Sequence, residues 1–203
     1  MPSKDDDEQR QFGEYFAARR DTVRRTAYLL CGDWHWADDL TQVAFTRLAA
    51  AWNRVRDPQA LDAFVRTCLT RAYFSDLRRV WRRREKSTSD LPESAVVHDA
   101  SEAVAQRLIF TAALRRLPPR QRAVLVYRYY QGLDVASTAE ALGCAEGTVK
   151  SQAARGLDKL REILGDAGLR PPADIPAGVV TGAVTTADSS YPLRSVIAAE
   201  ATR

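Results

Sequence analysis

The 203-residue chain has few of the residues that build metal centres and disulfide scaffolds: three cysteines, two histidines and one methionine. Cys31, Cys68 and Cys144 lie far apart and are odd in number. None has a second cysteine or histidine at a metal-ligand spacing. They read as reduced, buried thiols of a cytoplasmic protein, and no metal is expected. His35 and His98 stand in unrelated contexts, and no glycine-rich phosphate loop occurs. No nucleophile, base and orienting group can be assembled, so the expectation is no enzyme, no cofactor and no small-molecule substrate. Long apolar runs are missing as well. No stretch approaches the roughly 20 residues that span a bilayer, and "MPSKDDDEQR" is acidic where a secretory signal is cationic and then apolar. No membrane association is expected. Net charge is small too, with 30 Lys and Arg against 26 Asp and Glu. Any case for a polyanionic partner must therefore come from where the charges sit.

Helical periodicity is what the chain does have. Apolar residues recur at helical spacing in Phe12, Tyr15 and Phe16, in Val23, Ala27 and Leu30, and in Leu40, Val43, Ala44 and Leu48. The "CGD" of Cys31 to Asp33 divides this stretch into two helices. "RVRDPQALDAF" contains a proline after an aspartate and reads as a loop, with the helical pattern resuming from Ala63 to about Arg84. Residues 86–100 are polar, contain Pro92 and lack periodicity, which is the composition of a flexible linker. A second helical unit follows. Its pieces run from Ser101 to Leu117, from Pro118 and Pro119 to about Tyr130, from Val135 to Leu142, and from about Glu146 to Leu164. Residues 1–11 read as a disordered acidic N-terminus and residues 166–203 as a disordered tail rich in small residues, proline and threonine. The expected fold is all-α, with two small helical domains, 12–85 and 101–165, joined by the linker.

Two stretches concentrate cations. "VASTAEAL", a tight turn at "GC" and then a longer helix have the layout of a helix-turn-helix, whose second helix enters the DNA major groove. Asp134 is placed to cap the first helix, while Ala145 offers no side-chain cap to the second. In that second helix Val149, Ala153, Leu157 and Leu160 can face a core. Thr148, Lys150, Ser151, Gln152, Ala154 and Arg155 then lie on or beside the opposite face, where lysine and arginine can reach phosphates or guanine edges. A solvated helix face would show the same spacing, and the compact helix-turn-helix layout is what favours DNA. Upstream, "SDLRRVWRRREK" sets six cations, Arg78, Arg79, Arg82, Arg83, Arg84 and Lys86, against Asp76 and Glu85. Tyr73, Phe74 and Trp81 interleave with them. Arginines among aromatics can grip a phosphate backbone and stack on unpaired bases.

Residues Leu117 to Leu164, "LPPRQRAVLVYRYYQGLDVASTAEALGCAEGTVKSQAARGLDKLREIL", resemble the promoter-reading C-terminal domain of extracytoplasmic-function sigma factors. These are the small members of the sigma-70 family, and the likeness is to the small actinobacterial sigma-E-like group. "ADDLTQVAFTRLAAAW", Ala37 to Trp52, is similar to that family's core-polymerase-binding helix, and "AYFSDLRRVWRRRE" to its helix near the start site. The resemblance implies a factor that binds core RNA polymerase and directs it to promoter DNA. By position, it implies polymerase binding by Asp38, Asp39, Leu40 and Gln42. Minus-ten contacts fall to Arg56, Arg71, Tyr73, Arg78, Arg79, Trp81 and Arg82, with the loop from about Val55 to Asp62 capturing a flipped base. Minus-thirty-five contacts fall to Thr148, Lys150, Ser151, Gln152 and Arg155. It also leaves room for an anti-sigma partner. Two alternatives stand beside this reading. One is a polymerase-binding regulator without promoter opening. The other is a stand-alone helix-turn-helix regulator, which would leave the Ala37 to Trp52 helix and the arginine-aromatic helix without a task.

Overall fold

The computed structural model describes residues 4–55, 57–84 and 102–166, and among these residues every regular element is helical. The helices are α1 (Lys4–Cys31), α2 (Trp34–Ala51), α3 (Pro58–Arg84), α4 (Glu102–Arg115), α5 (Pro119–Leu125), α6 (Val135–Leu142) and α7 (Glu146–Asp166). A 3₁₀ turn follows α2 at Trp52–Arg54, and a π-helical turn follows α5 at Val126–Tyr130. The linker expected at 86–100 lies outside the described residues, as do Arg56 and all of the tail expected over 166–203 except Asp166, the last residue of α7.

The first unit is built from α1, α2 and α3. Gly32, at φ 77°, ends α1 in a left-handed conformation that glycine adopts without steric cost. Asp33 then caps α2, its side chain accepting from the Trp36 N–H at 2.7 Å. α1 packs along α2, and Ala27, Leu30, Ala37, Leu40, Ala44 and Leu48 are all essentially inaccessible to solvent. From α3, Leu61, Val65, Leu69 and Tyr73 recur every four residues and are buried, so one stripe of a long helix supplies the third wall. Polar ties supplement this apolar core. The Tyr15 hydroxyl donates to Asp62 Oδ1 at 2.7 Å, and Arg19 lies 3.0 Å from Asp62 Oδ2. Burial first, and then the Asp62 acceptor, push the Tyr15 phenol well above its usual range.

Three expectations change here. Helix α1 begins at Lys4, not near Phe12: Asp7 accepts hydrogen bonds from Arg10 and Gln11, the i+3 and i+4 partners that support an exposed helical turn. Helix α3 begins at Pro58, not Ala63. A proline at the first helical position has a preset φ and lacks only an N–H that would be unpaired anyway. The Leu61 N–H reaches back to the Asp57 carbonyl at 2.9 Å, so "DP" marks a helix start. Val43, placed by periodicity with the buried stripe, is 37% exposed.

The second unit is built from α4 to α7. α7 lies against both α4 and α5, burying Val149, Ala153, Leu157, Leu160, Ile163 and Leu164 with Phe110, Leu114, Leu117, Val124 and Leu125. The contact with α5 is tight at Gly156, where a Cβ would sit 3.3 Å from Gln121 and Leu125 side-chain atoms. After α5 the helix widens: the Gln131 N–H bonds to the Val126 carbonyl at 3.0 Å, an i to i+5 step. Gly132 at φ 71° turns the chain, and buried Arg128 donates through Nη1 to the Leu133 carbonyl. That buried cation, which periodicity could not reveal, secures the entry to α6.

Candidate nucleic-acid and partner surfaces

Backbone chemistry places the helix-turn-helix. Asp134 Oδ1 accepts from the Ser137 N–H at 2.6 Å, which caps α6 and holds the Asp134 carboxyl below the usual carboxylate range. At the other end Gly143 takes φ 61°. The Gly143 N–H bonds to the Glu140 carbonyl at 3.1 Å and the Cys144 N–H to the Ala139 carbonyl at 3.0 Å. This pair of bonds is a Schellman closure. It ends α6 within one residue and redirects the chain into α7. At the start of α7 the Ala145 carbonyl accepts from Thr148 at 2.9 Å and from Val149 at 3.2 Å. The earlier N–H groups, of Glu146 and Gly147, have no intrahelical acceptor and can serve an anion.

Helix α7 presents its charges unevenly. Lys159 pairs with Glu162 at 2.7 Å and Arg161 with Asp158 at 2.8 Å, so the outer face of the C-terminal half is internally compensated. In the N-terminal half Lys150, Ser151 and Arg155 are exposed, with Thr148 and Gln152 half-buried beside them. Among the described residues neither Lys150 nor Arg155 has a carboxylate within ion-pair distance. Ser151 Oγ donates to the Thr148 carbonyl at 3.1 Å. The face opposite the buried Val149 and Ala153 is therefore polar, cationic and uncompensated.

The end of α3 forms a second surface. Arg71, Arg78, Arg79 and Arg82 are exposed, and Trp81 is 66% exposed. Tyr73 does not belong with them. It continues the inward stripe, is 1% exposed, and packs against Trp36 with ring centroids 5.7 Å apart. It serves the core and has no route to nucleic acid.

The third surface is the outer side of α2. Asp38, Asp39 and Gln42 are exposed, whereas Leu40 is 1% exposed and anchors the helix from within. A direct polymerase contact by Leu40 is thus excluded by its burial. Asp38 is held by Arg24 of α1 through two hydrogen bonds, Nε to Oδ1 at 2.5 Å and Nη2 to Oδ2 at 3.0 Å. That arginine holds the Asp38 carboxyl below its usual range. The Arg24 guanidinium in turn lies 4.4 Å over the Trp34 ring, which stacks on Tyr28 at 4.0 Å. Asp39, Gln42, Val43, Thr46 and Arg47, all exposed, fall at the i, i+3, i+4, i+7 and i+8 spacing of one helix face. Sequence periodicity missed Val43, Thr46 and Arg47 as members of that face. The heptad-like spacing from Asp39 was the available signal.

Cys31 and Cys68 are buried and Cys144 is half-exposed, all as free thiols. Burial pushes the Cys68 and Cys144 thiols up, away from the reactive thiolate form. Among the described residues no cluster of three or more His, Cys, Asp or Glu could hold a metal, and no helix is long and apolar enough to cross a membrane.

Comparison with known families matches residues 15–83 to Sigma-70 region 2 and residues 107–160 to Sigma-70, region 4. The RNA polymerase sigma-E factor of Streptomyces coelicolor is 38% identical over 157 residues, covering 76% of this chain and 86% of that protein. The chain belongs to the sigma-70 family. It is of the extracytoplasmic-function type: the ECF RNA polymerase sigma factor SigM of Mycobacterium tuberculosis is 32% identical over 154 residues, covering 76% of this chain and 77% of that one. Among solved structures, the sigma factor RpoE in complex with the anti-sigma factor NepR from Bartonella quintana superposes with a TM-score of 0.67. The two chains are 26% identical, and the match covers 76% of this chain and 97% of that one. A sigma factor is a non-catalytic initiation factor, and this one directs transcription initiation. Region 2 lies on α1 to α3 and region 4 on α4 to α7, so both cationic surfaces and the α2 face fall within the family match. A stand-alone helix-turn-helix regulator accounts for only one of the two matched regions.

Proposed function

We propose that this sigma factor docks core RNA polymerase on the outer face of α2, through Asp38, Asp39 and Gln42 with Val43 and Arg47 extending the contact. It holds melted minus-ten DNA on Arg71, Arg78, Arg79, Trp81 and Arg82. It reads the minus-thirty-five duplex with Thr148, Lys150, Ser151, Gln152 and Arg155. It works in the cell interior without catalytic chemistry of its own, and an anti-sigma factor is a further partner, as NepR is for RpoE. The observation that carries the reading is the division of α7 into a compensated half and an uncompensated one, directly after a Schellman turn. Cations left without carboxylate partners on a polar helix face are what a phosphate backbone or a guanine edge can engage at least cost.

Run-off transcription with core polymerase, followed by sequencing of the RNA ends made on genomic DNA, tests this and reveals both promoter elements. Asp39→Arg is expected to abolish co-purification with polymerase while the helical circular dichroism persists; unchanged co-purification removes α2 from the interface. Arg155→Ala is expected to weaken minus-thirty-five binding by about 1–3 kcal/mol and to relax preference at one base pair if the side chain reads a guanine. Uniform weakening on all sequences assigns Arg155 to phosphate. If neither Arg155→Ala nor Lys150→Ala changes affinity, α7 is not the recognition helix.

A further inference from the structure

The basic end of α3 contains Asp76, an acid that a phosphate-binding segment should disfavour. Both of its carboxylate oxygens are engaged. Oδ2 accepts from Trp36 Nε1 at 3.3 Å, across to the first turn of α2, and Oδ1 lies 3.5 Å from Arg79 Nη1. Trp36 is itself fixed from three directions. Its backbone N–H donates to the Asp33 cap at 2.7 Å, its ring lies against buried Tyr73, and its indole N–H reaches Asp76. The side chains of Asp76 and Arg79 are 36% and 67% exposed, so the series runs from the core outward to the cationic surface. An exposed i, i+3 ion pair alone contributes little. Anchored on the opposite side by a fixed indole, the same carboxylate can restrict a long side chain before DNA arrives, reducing the ordering lost on binding.

We propose that Asp76, held by Trp36, is a positioning residue for the DNA-facing end of α3. It orients the Arg79 guanidinium and ties this end of α3 to the start of the polymerase-facing helix α2. The proposal rests on the reading of α3 as a contact for melted DNA, and it adds a residue whose charge has the wrong sign for contact. The sign provides the test. If Asp76 were only a negative charge among arginines, removing it would tighten DNA binding. If it positions Arg79, removing it loosens binding even though the segment becomes more cationic.

The experiment uses the full chain assembled with core polymerase and a promoter duplex carrying a premelted bubble, with affinity measured across a salt series. Asp76→Asn keeps an oxygen for Trp36 and loses the charge, whereas Trp36→Phe keeps an aromatic ring against Tyr73 and loses the donor. Each is expected to weaken bubble binding by about three- to tenfold, the scale of one hydrogen bond. The double variant should be hardly worse than either single one, because Trp36 acts on Arg79 only through Asp76. Asp76→Glu is expected to recover part of the loss. Polymerase affinity, binding to minus-thirty-five duplex and the thermal midpoint should stay at the parent values for Asp76→Asn, which separates positioning from a general loss of fold. Bubble affinity equal to or tighter than the parent in Asp76→Asn overturns the proposal. Arg79→Ala distinguishes the two levels of failure. If it weakens bubble binding and lowers the salt slope by about one while Asp76→Asn changes nothing, positioning alone is wrong. If Arg79→Ala has no effect, the DNA-facing reading of Arg79 fails and the proposal with it.

Discussion

On α2, Asp38 meets solvent already bound to Arg24, whose guanidinium is stacked on Trp34. On α7, Lys150 and Arg155 meet solvent with no carboxylate partner among the described residues. The α2 face therefore presents a prearranged mosaic of charges, suited to a partner with its own fixed charges. The N-terminal half of α7 presents uncompensated cations, suited to a polyanion whose counterions are released on binding. The scaffolds differ in a parallel way. Side chains cross between helices in the first unit, Tyr15 to Asp62, Arg24 to Asp38 and Trp36 to Asp76. The second relies on devices local to its turns: a π-helical turn, Gly132, the Asp134 cap and the Gly143 closure. A rigid turn sets the angle of the helix that follows it and leaves that helix's exposed side chains unused.

The largest break in this comparison comes from neighbouring positions on α2. Leu40→Ala removes a side chain that is 1% exposed and is expected to destabilise the first unit by about 2–5 kcal/mol. A fall in the thermal midpoint should accompany any loss of polymerase binding. Asp39→Arg should leave that midpoint within a few degrees of the parent. If both variants unfold the unit, the inner and outer sides of α2 are not separable.

A smaller effect tests whether backbone conformation governs the second unit. At Gly143 an added Cβ meets nothing within 4 Å, yet φ is 61°, so Gly143→Ala is expected to cost about 1–2 kcal/mol through strain alone. Gly147 also has open space and lies in the first turn of α7 with an ordinary helical φ. Gly147→Ala should stabilise the unit by a few tenths to about 1 kcal/mol. Chemical denaturation of the two variants gives the comparison, and equal shifts would remove the turn from the account.

The smallest expected destabilisation concerns the α6 cap. Asp134→Ala should cost about 1 kcal/mol at neutral pH. The Ser137 N–H lowers the Asp134 carboxyl in the folded state, so its contribution is fully present above the unfolded value of about 4 and is lost as the pH falls through the lower folded value. The stability gap between parent and variant should therefore be constant near neutrality and shrink on acidification. A gap that widens in acid has the wrong sign for a cap.

Sequence periodicity went far because helices bury stripes. Val149, Ala153, Leu157 and Leu160 recur at helical spacing, and each is buried, leaving Lys150, Ser151 and Arg155 outside. The helix-turn-helix was legible through Gly143 and Asp134, whose chemistry is local to a few residues. Val43 was misplaced because a spacing gives the angle of a residue around its own helix, but not which side a neighbouring helix will cover; Leu40 and Tyr73 were given surface roles by resemblance to a family segment, which does not say which side chains of that segment point inward. Arg128 was invisible because its acceptor, the Leu133 carbonyl, is presented only once the π-helical turn and Gly132 bend the chain. By itself the sequence determined the helical class, the two-part organisation and the cationic stretches, since composition and local periodicity carry each of them. Only the tertiary structure decided that Asp38 is shared with Arg24 and that Asp76 joins Trp36 to Arg79. Those partners lie 14 and 40 residues apart and meet only because α1, α2 and α3 pack around one apolar core.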